Sequence, residues 1–410
     1  MESLSDKLKS LGVHLGTEHI APPGPRKKIA RIEDVLPGYE DQTPFGSTFI
    51  VQEDYPDQYV HGAIRLCSDL SPGILTEWSK SKRLHPNGDN RLIFLDTETS
   101  GLAGGTGTFA FMVGLGFRTA AGFRLVQLFL RDPSYEPAML ASLQRFLDGY
   151  DAIVTYNGKS FDIPLLNTRH ILNGFSSPFG AMDHLDLLHL ARRMWRSRLP
   201  SRTLKDLENE ILSVSRSQEE VPGWMVPEIY YEYLRDGNAA PLAGVFYHNA
   251  VDILTLAALY NHFCLLLNDP LQEDQVHSLD LIAIGRLYEE LGHFERAIGL
   301  YESGLNAGLP RPFYLQTLQR YALIYRKQGR WEEAVQLWQK AAEFEQIDAC
   351  IELAKYYEHQ QRDDDTALLW TQRAIGYLSR PALPPGSSTG LLKTELEHRQ
   401  KRLNMRLGKV

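Results

Sequence analysis

The 410-residue sequence predicts a mixed α/β domain followed by an all-α stack of helical repeats. Three observations carry this expectation. The apolar runs "LIFLD", "FAFMVGLGF" and "FRLVQLFL", joined by glycine-bearing turns, read as three strands of a meander. Helix-like "PAMLASLQRFL" followed by apolar "AIVTY" adds a helix and a further strand. In the last third, "LIAIGRLYEELGHFERAIGLYESGL" returns as "LQRYALIYRKQGRWEEAVQLWQKAA", which aligns Tyr288 with Tyr325 at a step of 37 residues.

Taken in order, residues 1–90 are broken up by proline and charge ("APPGPRKK", "LHPNGDN") and read as a partly ordered lead-in that packs on the adjoining α/β domain. Residues 91–267 carry the strand and helix grammar. The stretch "LLLNDPLQEDQ" reads as a linker, residues 278–378 hold the repeats, and 379–410 form a tail. A hydrophobic share of 43% with 23% charged residues describes a globular chain, and a net charge of −8 argues against coating nucleic acid by bulk charge. Three scattered cysteines, Cys67, Cys264 and Cys350, match no zinc spacing and fit a reducing, cytoplasmic setting. The uncharged run Thr99–Phe117 holds too many glycines for a membrane helix, and the N-terminus lacks a secretory signal, so no membrane partner is expected.

The repeats align further at Gly292 with Gly329, Ala297 with Ala334, and Tyr301 with Trp338. A weaker third copy brings in Tyr357, Ala367, Trp370 and Ala374. Small residues where paired helices cross, with aromatics between them and a period near 34, resemble tetratricopeptide repeats. Such pairs cannot bury their apolar faces singly, so three would stack into a short solenoid with a binding surface for a protein partner.

The chemistry is suggested where the first strand ends in "DTE". Alternation sends Asp96 and Glu98 to one side, and two carboxylates held together at the mouth of a core strand point to a divalent metal or to a solvated turn. "YNGKSFDIPLL" offers Asp162 at a strand-to-helix boundary, with Asn157 and Gly158 suited to a tight turn. On a helix through "VFYHNAVDILTLAALYNHF", His248 and Asp252 stand four apart and face the same way.

In order, Asp-x-Glu, Asn-x-x-x-Phe-Asp and His-x-x-x-Asp resemble the DEDD superfamily of 3′-5′ exonucleases over roughly residues 91–263, in a bacterial branch carrying helical repeats. The resemblance implies a ribonuclease H-like fold and hydrolysis of nucleic acid, DNA or RNA. It also implies two Mg²⁺ or Mn²⁺ ions held by Asp96, Glu98, Asp162 and Asp252, with His248 as general base. Three residues separate His248 from Asp252, whereas the histidine-type subclass has four; three is the tyrosine-type spacing, and Tyr247 is the alternative base. A related-fold endonuclease and a nucleic-acid-binding scaffold of low turnover are the rival readings.

For substrate contact the sequence offers Thr97, Gly101, Thr106 and Asn157 around these motifs, the glycines letting backbone approach a strand or simply making a wide turn. "ARRMWRSRLPSRTLK" is the one concentrated basic stretch. Arg192, Arg193 and Arg196 on one helical face beside Trp195 would track phosphates, or would form a solvated face with Trp195 in the core. Asp183 and Asp186 read as helix-start residues.

Overall fold

A computed structural model describes residues 29–86, 90–101, 107–217, 220–271, 276–379 and 387–409. Its strands are β1 (Gly38–Thr43), β2 (Gly46–Pro56), β3 (Val60–His61), β4 (Ile64–Arg65), β5 (Leu92–Thr99), β6 (Ala110–Thr119), β7 (Gly122–Phe129), β8 (Ala152–Thr155) and β9 (Asp183–Asp186). Seven of them make one sheet in the order β1-β2-β7-β6-β5-β8-β9, while β3 and β4 pair with each other. The meander β5-β6-β7 is antiparallel, as expected, and β8 and β9 add in parallel beside β5. The two strands at one side of the sheet, β1 at the edge and β2 next to it, come from the N-terminal 90 residues, with β2 pairing on β7 from Phe49 to Pro56.

The longer helices of the first part are α1 (Glu136–Leu147), α2 (Asp162–Leu172), α3 (Leu187–Trp195), α4 (Val226–Asp236) and α5 (Leu242–Asn268). Alternation along β5 divides two cores between the faces of the sheet. Ile93 and Leu95 join Met139, Leu143, Ile163 and Leu166 on one side, whereas Phe94 joins Trp195, Ile253 and Phe263 on the other. By length and composition α5 would cross a membrane, but most of it is buried inside the fold, where it serves as the central core helix. Gly116 on β6 makes its close approach feasible, because a Cβ there would lie 2.5 Å from Ile253 Cγ2.

The helical part pairs α6 (Ser278–Glu290) with α7 (Phe294–Asn306), α8 (Arg311–Lys327) with α9 (Trp331–Glu343), and α10 (Ile347–Tyr356) with α11 (Asp364–Leu378). The aligned alanines Ala297, Ala334 and Ala367 are all fully buried at the crossings. A last helix, α12 (Ser387–Arg406), packs on α11 and closes the stack, its Arg399, Arg402 and Arg406 gathered around the buried carboxylate of Glu358.

One hydrophobic cluster runs without a break from the sheet through α3 and α5 into the repeats, from Phe94 to Trp195, Tyr288, Tyr321 and Trp338. Polar contacts reinforce the junction: Tyr288 donates to the Leu267 carbonyl at 2.6 Å, Arg193 pairs with Glu290 at 2.6 Å, and Arg198 pairs with buried Asp280.

Candidate active site

The site begins with the register of β5. Asp96 lies opposite Gly114 of β6, and a Cβ at Gly114 would stand 2.2 Å from Asn249 Oδ1, so the missing side chain makes room for the amide. Asn249, fully buried on α5, donates from Nδ2 to Asp96 Oδ2 at 3.0 Å. Its orientation is fixed from behind, because Gln127 Nε2 donates to Asn249 Oδ1 at 3.0 Å and to the Phe246 carbonyl at 2.9 Å. Pairing becomes irregular between Glu98 and Thr99, where the strand leaves the sheet.

Asp162 opens α2, where the positive end of the helix favours a carboxylate. It is buried and accepts a hydrogen bond from Thr97 Oγ1 at 2.5 Å. The turn before it is shaped by Asp186, which is buried and accepts the N–H groups of Asn157 at 2.8 Å and Lys159 at 3.1 Å while capping α3 through Leu188 N–H at 3.1 Å. Asn157 takes the left-handed conformation there, with φ of 67°, which its short polar side chain tolerates.

One turn apart on α5, His248 Nε2 lies 3.5 Å from Asp252 Oδ2. Glu98, His248 and Asp252 each bring one ligand atom into a group whose members all lie within 4.8 Å of one another. A cation is already engaged at its border. Arg216 forms a fork with Glu208, Nε to Oε2 and Nη2 to Oε1 both at 2.6 Å, pairs through Nη2 with Asp252, and directs Nη1 to His248 Nδ1 at 3.3 Å. An arginine only donates, so Nδ1 is the acceptor and the proton of neutral His248 resides on Nε2, toward Asp252. Behind Arg216 the network continues into the fold: Thr255 Oγ1 donates to Glu208 at 2.8 Å and accepts from His61 Nε2 at 3.0 Å.

Crowding of like charges is the dominant electrostatic feature. Burial, followed by the charges of Asp252, Asp162 and Glu98, holds Asp96 well above the ordinary carboxylate range. Burial and the charges of Asp252 and Asp162 push Glu98 up to about 8, and burial raises Asp162 to about 6 against the opposing bond from Thr97. Four carboxylates from three elements thus press on one another with Arg216 at the edge.

Residues 93–264 match the family model for the RNase_H superfamily, and residues 281–312 and 317–344 match that for the tetratricopeptide repeat. The YprB protein of Bacillus subtilis (strain 168), whose description is uncharacterized, is 31% identical over 396 residues, spanning 91% of this chain and 93% of its own. The chain belongs to the YprB family. Among solved structures, the family B DNA polymerase from the archaeon Pyrobaculum calidifontis aligns over 59% of this chain at 15% identity with a TM-score of 0.36, a likeness too distant to argue from. This chain spans 29% of that polymerase.

In this YprB-family chain the remaining expected contact residues are scattered. Arg192 on α3 and Arg196 at its C-cap are exposed, but Trp195 between them is fully buried and stacks on Phe263 at 5.0 Å. Their neighbours Arg193 and Arg198 are used at the junction with the repeats. The Gly101 carbonyl accepts from Thr99 Oγ1 at 3.0 Å, and Thr106 lies outside the described residues. Tyr247 OH accepts the Ser217 N–H at 2.8 Å. Asp183, expected at a helix start, lies instead on β9, where its carboxylate takes the backbone N–H groups of Lys82 and Arg83. The sequence reading did not single out Arg216, Glu208, Asn249, Gln127 or His61. Asn249 had a signal, since it adjoins His248 in a helix too apolar to leave an amide unbonded.

The donor set suits a hard divalent cation. Its oxygens are carboxylates whose protonation is favoured by mutual repulsion and which a positive ion would relieve.

Proposed function

We propose that the chain is a metal-dependent nuclease, and within that class a DEDD-type 3′-5′ exonuclease that hydrolyses phosphodiester bonds of single strands. The convergence of Asp96 and Glu98 from β5, Asp162 from α2 and Asp252 from α5 beside His248 carries the reading. Those four carboxylates would hold Mg²⁺ or Mn²⁺, two ions in this reading, which when bound supply Lewis-acid stabilisation of the charge that builds up on the phosphate. Asn249 and Thr97 orient the carboxylates of Asp96 and Asp162. His248 is the candidate proton acceptor, and it can act only when Nδ1 is released from Arg216 or the tautomer is exchanged, because both ring nitrogens are otherwise committed. The repeats would bind a protein partner, and the buried free thiols of Cys67, Cys264 and Cys350 agree with a cytoplasmic setting.

Arg216 favours a second reading, a nucleic-acid-binding or scaffold protein with a weakly active site, since it competes with a metal for Asp252. The test is incubation of the full chain with Mn²⁺ and end-labelled single-stranded DNA and RNA, with free or blocked 3′ ends. Loss of nucleotides from the free 3′ end supports the exonuclease; cleavage of blocked strands points to an endonuclease; binding without cleavage supports the scaffold.

A further inference from the structure

Beside the carboxylates stands a feature that the hydrolytic reading leaves unused. The 3₁₀ turn Gly223–Met225 overhangs His248, since a Cβ at Gly223 would lie 3.8 Å from Nε2. The turn is fixed by backbone bonds from Met225 to the Pro222 carbonyl and from Val226 to the Gly223 carbonyl. It holds Trp224 out into solvent, 68% exposed. Behind it lies an open groove of about 510 Å³, lined by Val221, Pro222, Met225, Ile229, Pro241 and Gly244. The groove is continuous with the site: Glu220 at its rim has Oε1 4.0 Å from His248 Nδ1, and Gly244 precedes His248 by about one helical turn on α5. A second exposed aromatic, Phe161, precedes Asp162 directly and is 60% exposed.

We propose that Trp224 and the groove behind its turn form a subsite for an unpaired nucleobase next to the phosphate at the carboxylate cluster, with Phe161 as a second stacking face. The inference rests on the nuclease reading and names its substrate class, single strands whose bases are free to leave a helix. Charge favours a base over a phosphate here. The chain carries a net charge of −8, four carboxylates face the phosphate, and two of the four arginines between residues 192 and 198 are engaged by Glu290 and Asp280. Affinity therefore has to draw on contacts that need no positive charge, and the face of an exposed indole supplies these for any base. A paired base cannot offer its face without unstacking, so duplex ends bind more weakly.

The test measures binding of a fluorescent oligothymidylate and of an abasic strand of equal length by the full chain carrying Asp96→Asn, with and without Trp224→Ala. Circular dichroism checks the fold, and Trp224→Phe serves as the conservative variant. The expected result is about tenfold weaker binding of oligothymidylate with Trp224→Ala, most of it restored by Trp224→Phe, with the abasic strand unaffected and little dependence on salt. Equal affinities with and without Trp224, or equal losses on both strands, would overturn the subsite. If the wild-type chain cleaves single strands and Trp224→Ala does not discriminate, only the subsite fails; if the wild-type chain neither binds nor cleaves them, the nuclease reading fails with it.

Discussion

Replacement of Arg216 by glutamine tests the framework on which the site is built. The arginine side chain is 6% exposed and Glu208 is 1% exposed, so the substitution leaves a carboxylate in the interior without its counter-ion, with Thr255 Oγ1 still donating to it. Breaking a buried pair from one side costs about 3–5 kcal/mol, because the remaining charge has neither water nor counter-ion. The pairing with Glu220, which is 15% exposed, adds less. The expected loss is therefore about 3–5 kcal/mol, and it should be read segment by segment with hydrogen exchange under rising urea, since a chain of this size need not unfold in one step. Amides of α5 and of residues 204–216 should lose protection first. Adding Glu208→Gln should restore more than half of the loss, as the carboxylate that Arg216 neutralised is then itself uncharged. A loss below about 1 kcal/mol, or additive effects in the double variant, would refute the view of Arg216 as the counter-ion of an interior carboxylate.

The geometry sets three further outcomes. Glu98 lies at about 8 against an ordinary 4.5, and Asp162 at about 6 against 3.8. Carboxyls raised in the folded state contribute stability that is complete below about pH 4 and is lost as pH climbs toward about 8, so metal-free protein should melt lower at about pH 8 than at about pH 5, and Mn²⁺ should raise the melting temperature more at the higher pH. A metal-free melting temperature that is flat or rising over that window contradicts the crowding of charge. If His248 accepts the proton, His248→Ala should lower single-turnover cleavage about a hundredfold with binding retained, while Tyr247→Phe does far less; the reverse ranking moves the role to Tyr247. Truncation after Asn268 removes Leu281, Ile284 and Tyr288 from the cluster they share with Trp195 and Phe263, so the shortened chain should bind a hydrophobic dye and aggregate; a soluble, folded monomer would show that the junction is dispensable.

Much of the site and fold was legible in the sequence because it is local. Strand alternation put Asp96 and Glu98 on one side, helical spacing put His248 and Asp252 on one face, and alanines at matching positions marked the crossings of the helix pairs. What could not be read is long-range. Arg216 sits in an irregular stretch whose own neighbours give no hint that it will meet Glu208, His248 and Asp252, and His61 reaches the same network from a region that looked uninformative. The basic stretch misled for a related reason. Its arginines looked alike, but Arg193 and Arg198 find acids on a helix about a hundred residues further along, and only Arg192 and Arg196 keep the exposure expected of the whole set. Gly114 and Gly116 counted in the sequence only against a membrane helix, whereas their lack of side chains lets Asn249 and Ile253 of α5 press against the sheet.

The central claim is that four carboxylates from three elements form one metal-dependent hydrolytic centre. Its most direct test is the release of nucleotides from a labelled single strand by the full chain in Mn²⁺, set beside Asp96→Asn, Asp162→Asn and their double variant, each with its fold checked by circular dichroism. The account predicts cleavage by the wild-type chain that stops in EDTA, and no cleavage by any of the folded variants. Undiminished cleavage by the folded double variant in EDTA would contradict it.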